Sequence, residues 1–197
     1  MIEYIYPTPI LCEQATQGQL LGIQGEITRA LQHLSFAENK QWGPGHLQVT
    51  DTSGASNVIK AYNLINLSKY ISGCVKQYAR GLDHDICQSW ITKTSKGQVA
   101  AAHNHGQFDI AGVYYYKTNE KDGALKLSNP NTGAHASKSW MMSQDVRIQP
   151  KVGSLILFPG WLDHSVDLNT TNDDRMSLAF NINIDRSMYN NSNQGNK

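Results

Sequence analysis

The sequence predicts a mainly β protein of the sandwich or barrel class, with helices ahead of the strands. Apolar residues recur at helical spacing in the first part of the chain, and from residue 86 onward short alternating segments are separated by turn residues. The length of 197 residues fits one domain. We expect one domain over 1–186, with a helical part over 1–85, a β core over 86–186 and a polar, disordered tail over 187–197.

Two amphipathic helices are predicted in the first part. Their apolar residues follow three- and four-residue spacing: Leu20, Ile23, Ile27, Leu31 and Leu34, then Leu64, Leu67, Ile71, Val75 and Tyr78. The stretch from Gly43 to Ser56 is rich in glycine and small polar residues, which indicates turns. Gly81 is expected to end the second helix.

Eight short strands are predicted in the β core, over 86–94, 98–103, 109–117, 123–127, 145–149, 154–158, 163–168 and 175–184. The last has the clearest pattern, in which Met176, Leu178, Phe180, Ile182 and Ile184 alternate with Arg175, Ser177, Ala179, Asn181 and Asn183. One face of this strand is therefore apolar, and the other is small and polar with a single arginine.

Composition argues against several classes of function. The formal net charge is +1 and no basic block is interleaved with aromatic residues, so we expect neither a nucleic-acid nor a membrane-surface partner. No apolar run is long enough to predict a membrane span. The three cysteines, Cys12, Cys74 and Cys87, are odd in number and lack CxxC spacing, which is typical of reduced thiols in the cytoplasm.

Three histidines form a candidate metal site. His103 and His105 are two residues apart, so on a strand both imidazoles point to one side. His164 lies far downstream, and a third ligand from a distant strand would leave open coordination positions inside a barrel. Imidazole suits iron, nickel, copper and zinc alike, so the spacing does not select the metal. In a chain with seven histidines an HxH pair can also arise by chance, so a structural role for these three histidines stays open.

Arg175 is a candidate anion-binding residue. It is the only charge on the polar face of the last strand, and an arginine inside a barrel is costly unless an anion pairs with it. Its planar guanidinium matches a carboxylate, and Ser177 on the same face can add a hydroxyl hydrogen bond. The alternative is that Arg175 lies at an exposed mouth and continues the polar loop over 172–174.

In their order and spacing, these motifs resemble the 2-oxoglutarate/iron(II)-dependent oxygenase superfamily. The resemblance is to its prolyl-hydroxylase-like branch, and is closest to uncharacterised oxygenases of phages and bacteria. It covers about half of the chain, through Ser89-Trp90, His103-Asn104-His105, Ala111 to Tyr115, Gly123 to Pro130, Gly153 to Pro159, Trp161 to His164 and Arg175 to Asn181.

The resemblance implies a double-stranded β-helix, which is a jelly-roll or cupin-like barrel, with the helices packed outside. It also implies that His103 and His164 bind iron(II), and that Arg175, helped by Ser177, binds the distal carboxylate of the cosubstrate 2-oxoglutarate. Most of the superfamily has an acid where His105 stands. We expect His105 to be the third ligand, with Asp109 as the alternative.

The implied activity is that of a dioxygenase that hydroxylates or otherwise oxidises an amino-acid or peptide side chain, or another small molecule. Two alternatives stay open. One is a cupin-type metal dioxygenase without 2-oxoglutarate, and the other is a non-enzymatic jelly-roll binding module with structural histidines. Tyr114, Tyr115 and Trp161 are candidates for lining the pocket, while the oligomeric state is not predicted.

Overall fold

The computed structural model describes residues 7–50, 57–131 and 144–187. The predicted tail beyond residue 187 lies outside the described residues. The elements are β1 (Leu11–Gln14), α1 (Gln17–Leu31), β2 (Phe36–Glu38), β3 (Gln48–Thr50), α2 (Val58–Ala61), α3 (Ile65–Tyr78), β4 (His84–Thr94), β5 (Ala100–His103), β6 (Ile110–Lys117), β7 (Leu125–Leu127), β8 (Val146–Ile148), β9 (Ser154–Pro159), β10 (His164–Val166) and β11 (Arg175–Ile184).

Both predicted helices are confirmed as α1 and α3. Helix α1 begins after Thr16, whose hydroxyl accepts the Gln19 N–H while the Gln19 side chain accepts the Thr16 N–H, a capping box. Leu34 lies beyond the end of this helix. Helix α3 ends just before Gly81, as predicted: Arg80 has a left-handed φ of 53°, which turns the chain so that the Gly81 N–H donates to the Lys76 carbonyl oxygen at 2.7 Å. No helix among the described residues is long and apolar enough to cross a membrane.

The strands form two antiparallel sheets. The larger has the order β1-β9-β6-β11-β4-β3-β2 and the smaller the order β5-β10-β7-β8. All eight predicted strands are present, with ends within two residues of those expected. Strands β1, β2 and β3 were not predicted, and β3 falls in the stretch expected to form turns. With three or four residues each, they are too short to show an alternating pattern.

The larger sheet is the middle layer of the molecule. One face packs against α1 and α3 through a core that includes Ile23, Ile27, Leu67, Ile71, Leu155, Leu178 and Phe180. The other face packs against the smaller sheet through Ala111, Tyr115, Ile156, Phe158, Leu125, Leu127 and Leu162. This is the predicted mainly β architecture with helices outside, although hydrogen bonds do not join the described strands of the two sheets into a closed barrel.

Strand β11 separates the two cores, as its alternation predicts. Leu178 and Phe180 pack toward the helices, whereas Arg175, Ser177 and Asn181 line a cavity between the sheets. The strand lies between β4 and β6, so its polar side chains are buried rather than solvated. Buried polar groups need partners, and the partners of this face define the site.

Candidate metal centre and anion site

A cavity of about 450 Å³ between the two sheets brings the predicted site residues together. His103, His105, His164, Arg175 and Ser177 all line it. Of the described lining residues, Arg175 alone carries a formal charge at neutral pH. The cavity is therefore a largely uncharged space with three imidazoles and one guanidinium in its wall.

The three histidines are neighbours in space because of strand pairing. His103 in β5 lies directly opposite His164 in β10, with ring centroids 4.2 Å apart. His105 follows β5, and its ring centroid lies 5.1 Å from each of the others. One nitrogen from each ring lies within 4.8 Å of the other two, so the cluster could hold a metal ion. The predicted grouping of these residues is thus present.

Hydrogen bonds fix the orientation of two of these rings, and burial favours the neutral form of all three. The Nδ1 of His103 donates to the Ala101 carbonyl oxygen at 2.7 Å and that of His164 to the Leu162 carbonyl oxygen at 2.9 Å, which leaves each Nε2 free. Burial lowers the pKa of all three rings, and together with the neighbouring His103 it brings the pKa of His164 to about 3 and that of His105 to about 4. Neutral imidazole is the form that binds metals.

Asp109, the alternative ligand, does not belong to this cluster. Its carboxylate accepts the Ile184 N–H at 2.9 Å and pairs with Arg186. It thereby ties the start of β6 to the end of β11. His105 is instead the third member of the cluster, in a turn held by its N–H donating to the Gly160 carbonyl oxygen at 2.7 Å.

Arg175 is 2% exposed, so the interpretation that it lies at an exposed mouth is wrong. Its Nη1 donates to the carbonyl oxygens of Gly123 at 2.8 Å and Asp122 at 3.2 Å, and its Nη2 to Thr94 Oγ1 at 2.9 Å. Its buried Nε has no hydrogen-bond partner among the described residues. Every acceptor is uncharged, and the described residues offer it no ion pair. The guanidinium is positioned but not neutralised, which suits an incoming anion.

The Asp122 carboxylate does not fill that role. It accepts hydrogen bonds from Thr118 Oγ1 at 2.7 Å and from the Asn119 N–H at 3.0 Å. Burial lowers the pKa of Arg175, while Tyr115 and Asp122 raise it. Asp122 therefore acts on the guanidinium only at longer range, as part of the turn that holds the Gly123 carbonyl in place.

Of the three aromatic candidates for the pocket wall, only Tyr115 is confirmed. Tyr114 faces the helices and packs edge-on against Tyr70, with ring centroids 6.3 Å apart. Trp161 is 52% exposed and does not line the cavity. Ser177 does line it, with its hydroxyl 2.7 Å from that of Thr92.

Sequence reasoning missed the aromatic wall around the histidines. Trp90 stacks on His105 at 5.9 Å, Trp42 meets His103 edge-on at 4.8 Å, and Phe158 meets His164 at 4.7 Å between ring centroids. These rings keep water from the imidazoles and account for their burial. The position of Trp90 could have been predicted from the strand period, because Trp90 pairs with Ala179, which is on the polar face of β11. Nothing local marks Trp42, which comes from a loop.

Gly160 sets the backbone of the His105 turn. A Cβ at this position would lie 2.0 Å from the Phe108 carbonyl oxygen and 3.1 Å from that of His105, and backbone atoms cannot move aside cheaply. We expect Gly160→Ala to lower the free energy of unfolding by about 2 kcal/mol. The melting temperature should fall by roughly 5 °C and metal affinity should weaken, as measured by thermal unfolding and by metal titration.

Gly18 is the matched control for this substitution. It lies in α1, and a Cβ there would meet nothing within 4 Å. Gly18→Ala should stabilise the protein by about 0.5–1 kcal/mol and leave metal binding unchanged. Equal melting temperatures for Gly160→Ala and the wild type would show that the turn is not tightly packed.

Residues 88–181 match the family described as "Putative 2OG-Fe(II) oxygenase". The match spans β4 to β11 and includes every histidine of the cluster, Arg175 and Ser177. The resemblance seen in the sequence is thereby confirmed. No match was found among curated proteins.

Similar solved structures include the epimerase SnoN of nogalamycin biosynthesis in complex with Fe3+, alpha ketoglutarate and nogalamycin RO. It is 12% identical over 89% of this chain and 78% of its own, with a TM-score of 0.65. A 2OG-Fe(II) oxygenase family oxidoreductase from Burkholderia pseudomallei is 11% identical over 88% and 84%, with a TM-score of 0.63. A Pseudomonas putida prolyl-4-hydroxylase is 15% identical over 88% and 92%, with a TM-score of 0.56. Identities this low establish a shared fold, the double-stranded β-helix that the resemblance implies.

Proposed function

Because residues 88–181 match the 2OG-Fe(II) oxygenase family, we propose that His103, His105 and His164 bind the iron(II) and that Arg175, with Ser177, binds the distal carboxylate of 2-oxoglutarate. The chain is an enzyme of this oxygenase class, with iron(II) and 2-oxoglutarate as cofactor and cosubstrate. The proposal concerns which residues hold them. The observation that carries it is the buried, unneutralised guanidinium of Arg175 in the same cavity as the three neutral imidazoles.

The residues present fit both groups. Three neutral imidazoles would supply nitrogen donors for a divalent ion, beside a cavity of about 450 Å³ that could take the oxo acid. The unpartnered Nε of Arg175 gives a carboxylate one more donor beside the fixed Nη groups. When bound, iron(II) and 2-oxoglutarate supply an oxidation by molecular oxygen that is coupled to loss of carbon dioxide from the oxo acid.

The protein's own contribution is to orient the cosubstrate and to exclude water. Arg175 sits on a central strand, held by two backbone carbonyls and Thr94, so its position is fixed before the anion arrives. Trp42, Trp90 and Phe158 surround the imidazoles, and their bulk keeps solvent away from the metal position.

For the substrate, we propose an amino-acid or peptide side chain, or another small molecule, whose reacting part is uncharged. The support is the lining of the cavity, in which the described residues offer a charged substrate no partner besides Arg175. Carboxamides at Gln41, Gln88 and Gln107 can instead form neutral hydrogen bonds. The Pseudomonas putida relative is a prolyl-4-hydroxylase, and SnoN was crystallised with nogalamycin RO, so this fold takes both kinds of substrate.

We also propose that the enzyme acts in the cytoplasm. Cys12, Cys74 and Cys87 are free thiols, and burial raises the pKa of each, which makes them poorly reactive. Fractionation of cells that produce the protein would test this location.

The direct test is an anaerobic titration of the metal-free protein with iron(II) and then with 2-oxoglutarate. A visible charge-transfer band should appear when the oxo acid chelates the bound iron. Succinate, which has both carboxylates but no ketone, is the matched control and should give no band. Iron binding without a band would favour a metal dioxygenase that uses no 2-oxoglutarate, and failure to bind iron would reject the three-histidine assignment.

A further inference from the structure

Two of the three histidines have an obvious partner for the ring nitrogen that faces away from the metal position. His103 donates to the Ala101 carbonyl oxygen and His164 to the Leu162 carbonyl oxygen. In the part of the chain that the structure describes, no hydrogen bond within 3.5 Å reaches the ring of His105. A metal-binding imidazole without such a partner is free to rotate and to change tautomer.

Asn181 is a buried side chain on the same cavity wall with an unmet acceptor. It is 2% exposed and lies on the face of β11 that also carries Arg175 and Ser177. Its Nδ2 donates to Gln88 Oε1 at 3.0 Å, which fixes the orientation of the carboxamide. Its Oδ1 is buried, and no residue in the described ranges of the chain donates a hydrogen bond to it. A carbonyl oxygen in this state is costly unless it accepts a hydrogen bond in the working protein.

Strand pairing brings the two unmet groups to the same part of the cavity wall. His105 stacks on Trp90, and Trp90 and Gln88 are alternate residues of β4 that lie opposite Ala179 and Asn181 of β11. The Asn181 amide nitrogen already donates to Gln88, so Oδ1 is the atom that remains to accept a ring N–H.

We propose that Asn181 is a positioning residue for the metal centre, whose Oδ1 accepts the ring N–H of His105 and so turns the other ring nitrogen toward the ion. Gln88 acts one step further out, because it holds the carboxamide in the required orientation. His105 then has a side-chain partner equivalent to the backbone carbonyls that hold His103 and His164. The inference rests on the proposed role of His105 as a ligand.

The test uses cobalt(II) as a spectroscopic probe, with the full-length protein made metal-free and titrated in the absence of 2-oxoglutarate. Asn181→Leu keeps the shape and removes the acceptor, so cobalt affinity should fall by roughly 10- to 100-fold. The visible bands of the bound cobalt should also shift, because the His105 ring is no longer fixed. Asn181→Asp restores an acceptor at the same position, and its affinity should stay within about threefold of wild type.

Asn57→Leu is the matched control. Asn57 is also a buried carboxamide, but it bonds to the Ile86 carbonyl oxygen and to Ser89, away from the cavity. This variant should lose melting temperature and keep wild-type cobalt binding. If Asn181→Leu binds cobalt as tightly as wild type with unchanged bands, the role of Asn181 is rejected while the three-histidine site stands. If the wild type itself fails to bind cobalt, the proposed metal site is rejected.

A second measurement does not depend on the folding of Asn181→Leu. In the zinc(II)-loaded wild-type protein, nitrogen-15 spectra of the imidazoles should show one protonated ring nitrogen for His105 that exchanges slowly with water and lies close to Asn181. A His105 ring N–H that exchanges as fast as those of exposed histidines would overturn the proposal.

Discussion

Substitution of Arg175 by methionine should weaken 2-oxoglutarate binding by roughly 100-fold or more. Loss of one partner from a buried, hydrogen-bonded charge pair costs about 2–5 kcal/mol, and the carboxylate would then enter a cavity whose described lining has no other formal charge. Calorimetric titration of the manganese(II)-loaded protein with 2-oxoglutarate measures this directly. The Michaelis constant for succinate formation should rise in parallel.

Stability should respond differently from cosubstrate binding. In the protein without an anion, methionine removes a desolvated charge but leaves Thr94 and the carbonyl oxygens of Asp122 and Gly123 without their donor. These opposing effects are each about 1–3 kcal/mol, so the melting temperature should change by only a few degrees. A large loss of affinity with little loss of stability is what distinguishes a ligand-binding arginine from a structural one.

Arg147→Met is the control for this prediction. Arg147 lies in β8, its side chain is 55% exposed, and its ion pair with Asp167 is at the surface. Surface ion pairs contribute about 0–1 kcal/mol, so both stability and 2-oxoglutarate affinity should stay near wild type. A dissociation constant for Arg175→Met within threefold of wild type would mean that the buried arginine serves the fold and that the anchor lies elsewhere.

Strong periodicity explains why much of the site could be predicted from sequence. The ten residues of β11 alternate without a break, so the strand period alone assigns Arg175 and Ser177 to one face. The two-residue spacing of His103 and His105 predicted that both face one side, and both line the cavity, but His105 lies in the turn after β5, so its position depends on its hydrogen bond to Gly160 and not on the strand period. What the sequence did not contain was the pairing of His103 with His164, which depends on the strand register between β5 and β10.

The misassigned residues share a physical cause, which is that both faces of the larger sheet are buried. Tyr114 and Tyr115 must face opposite sides of β6, yet each is fully buried, so alternation could not tell which one meets the cavity and which meets the helices. Trp161 is in a turn, where no period applies. Asn181 was visible as a polar residue of β11, but its unmet acceptor depends on the side-chain orientation that Gln88 imposes.

His164→Ala should cause the largest loss of metal binding among single substitutions of the cluster. It is 6% exposed, the most buried of the three, and its ring lies between those of His103 and Phe158. Changes in groups that only support a metal ligand cost about 10- to 100-fold in affinity, so removal of the ligand itself should exceed about 100-fold. Iron(II) affinity and succinate formation should fall together, because the oxo acid needs the metal to react.

His84→Ala is the control, because it shows how much metal affinity is lost when any half-buried histidine is removed. His84 lies at the start of β4, where its Nε2 is 3.1 Å from Ser72 Oγ, and it does not line the cavity. Its removal should lower stability slightly and leave iron binding intact. Free imidazole added to His164→Ala should enter the space left by the ring and restore part of the metal affinity. If His164 served only the fold, added imidazole would not change the metal affinity. If His164→Ala bound iron with wild-type affinity, the ion would lie away from the β5–β10 pair. The assignment of His103, His105 and His164 as iron ligands in the same cavity as Arg175 would then be wrong.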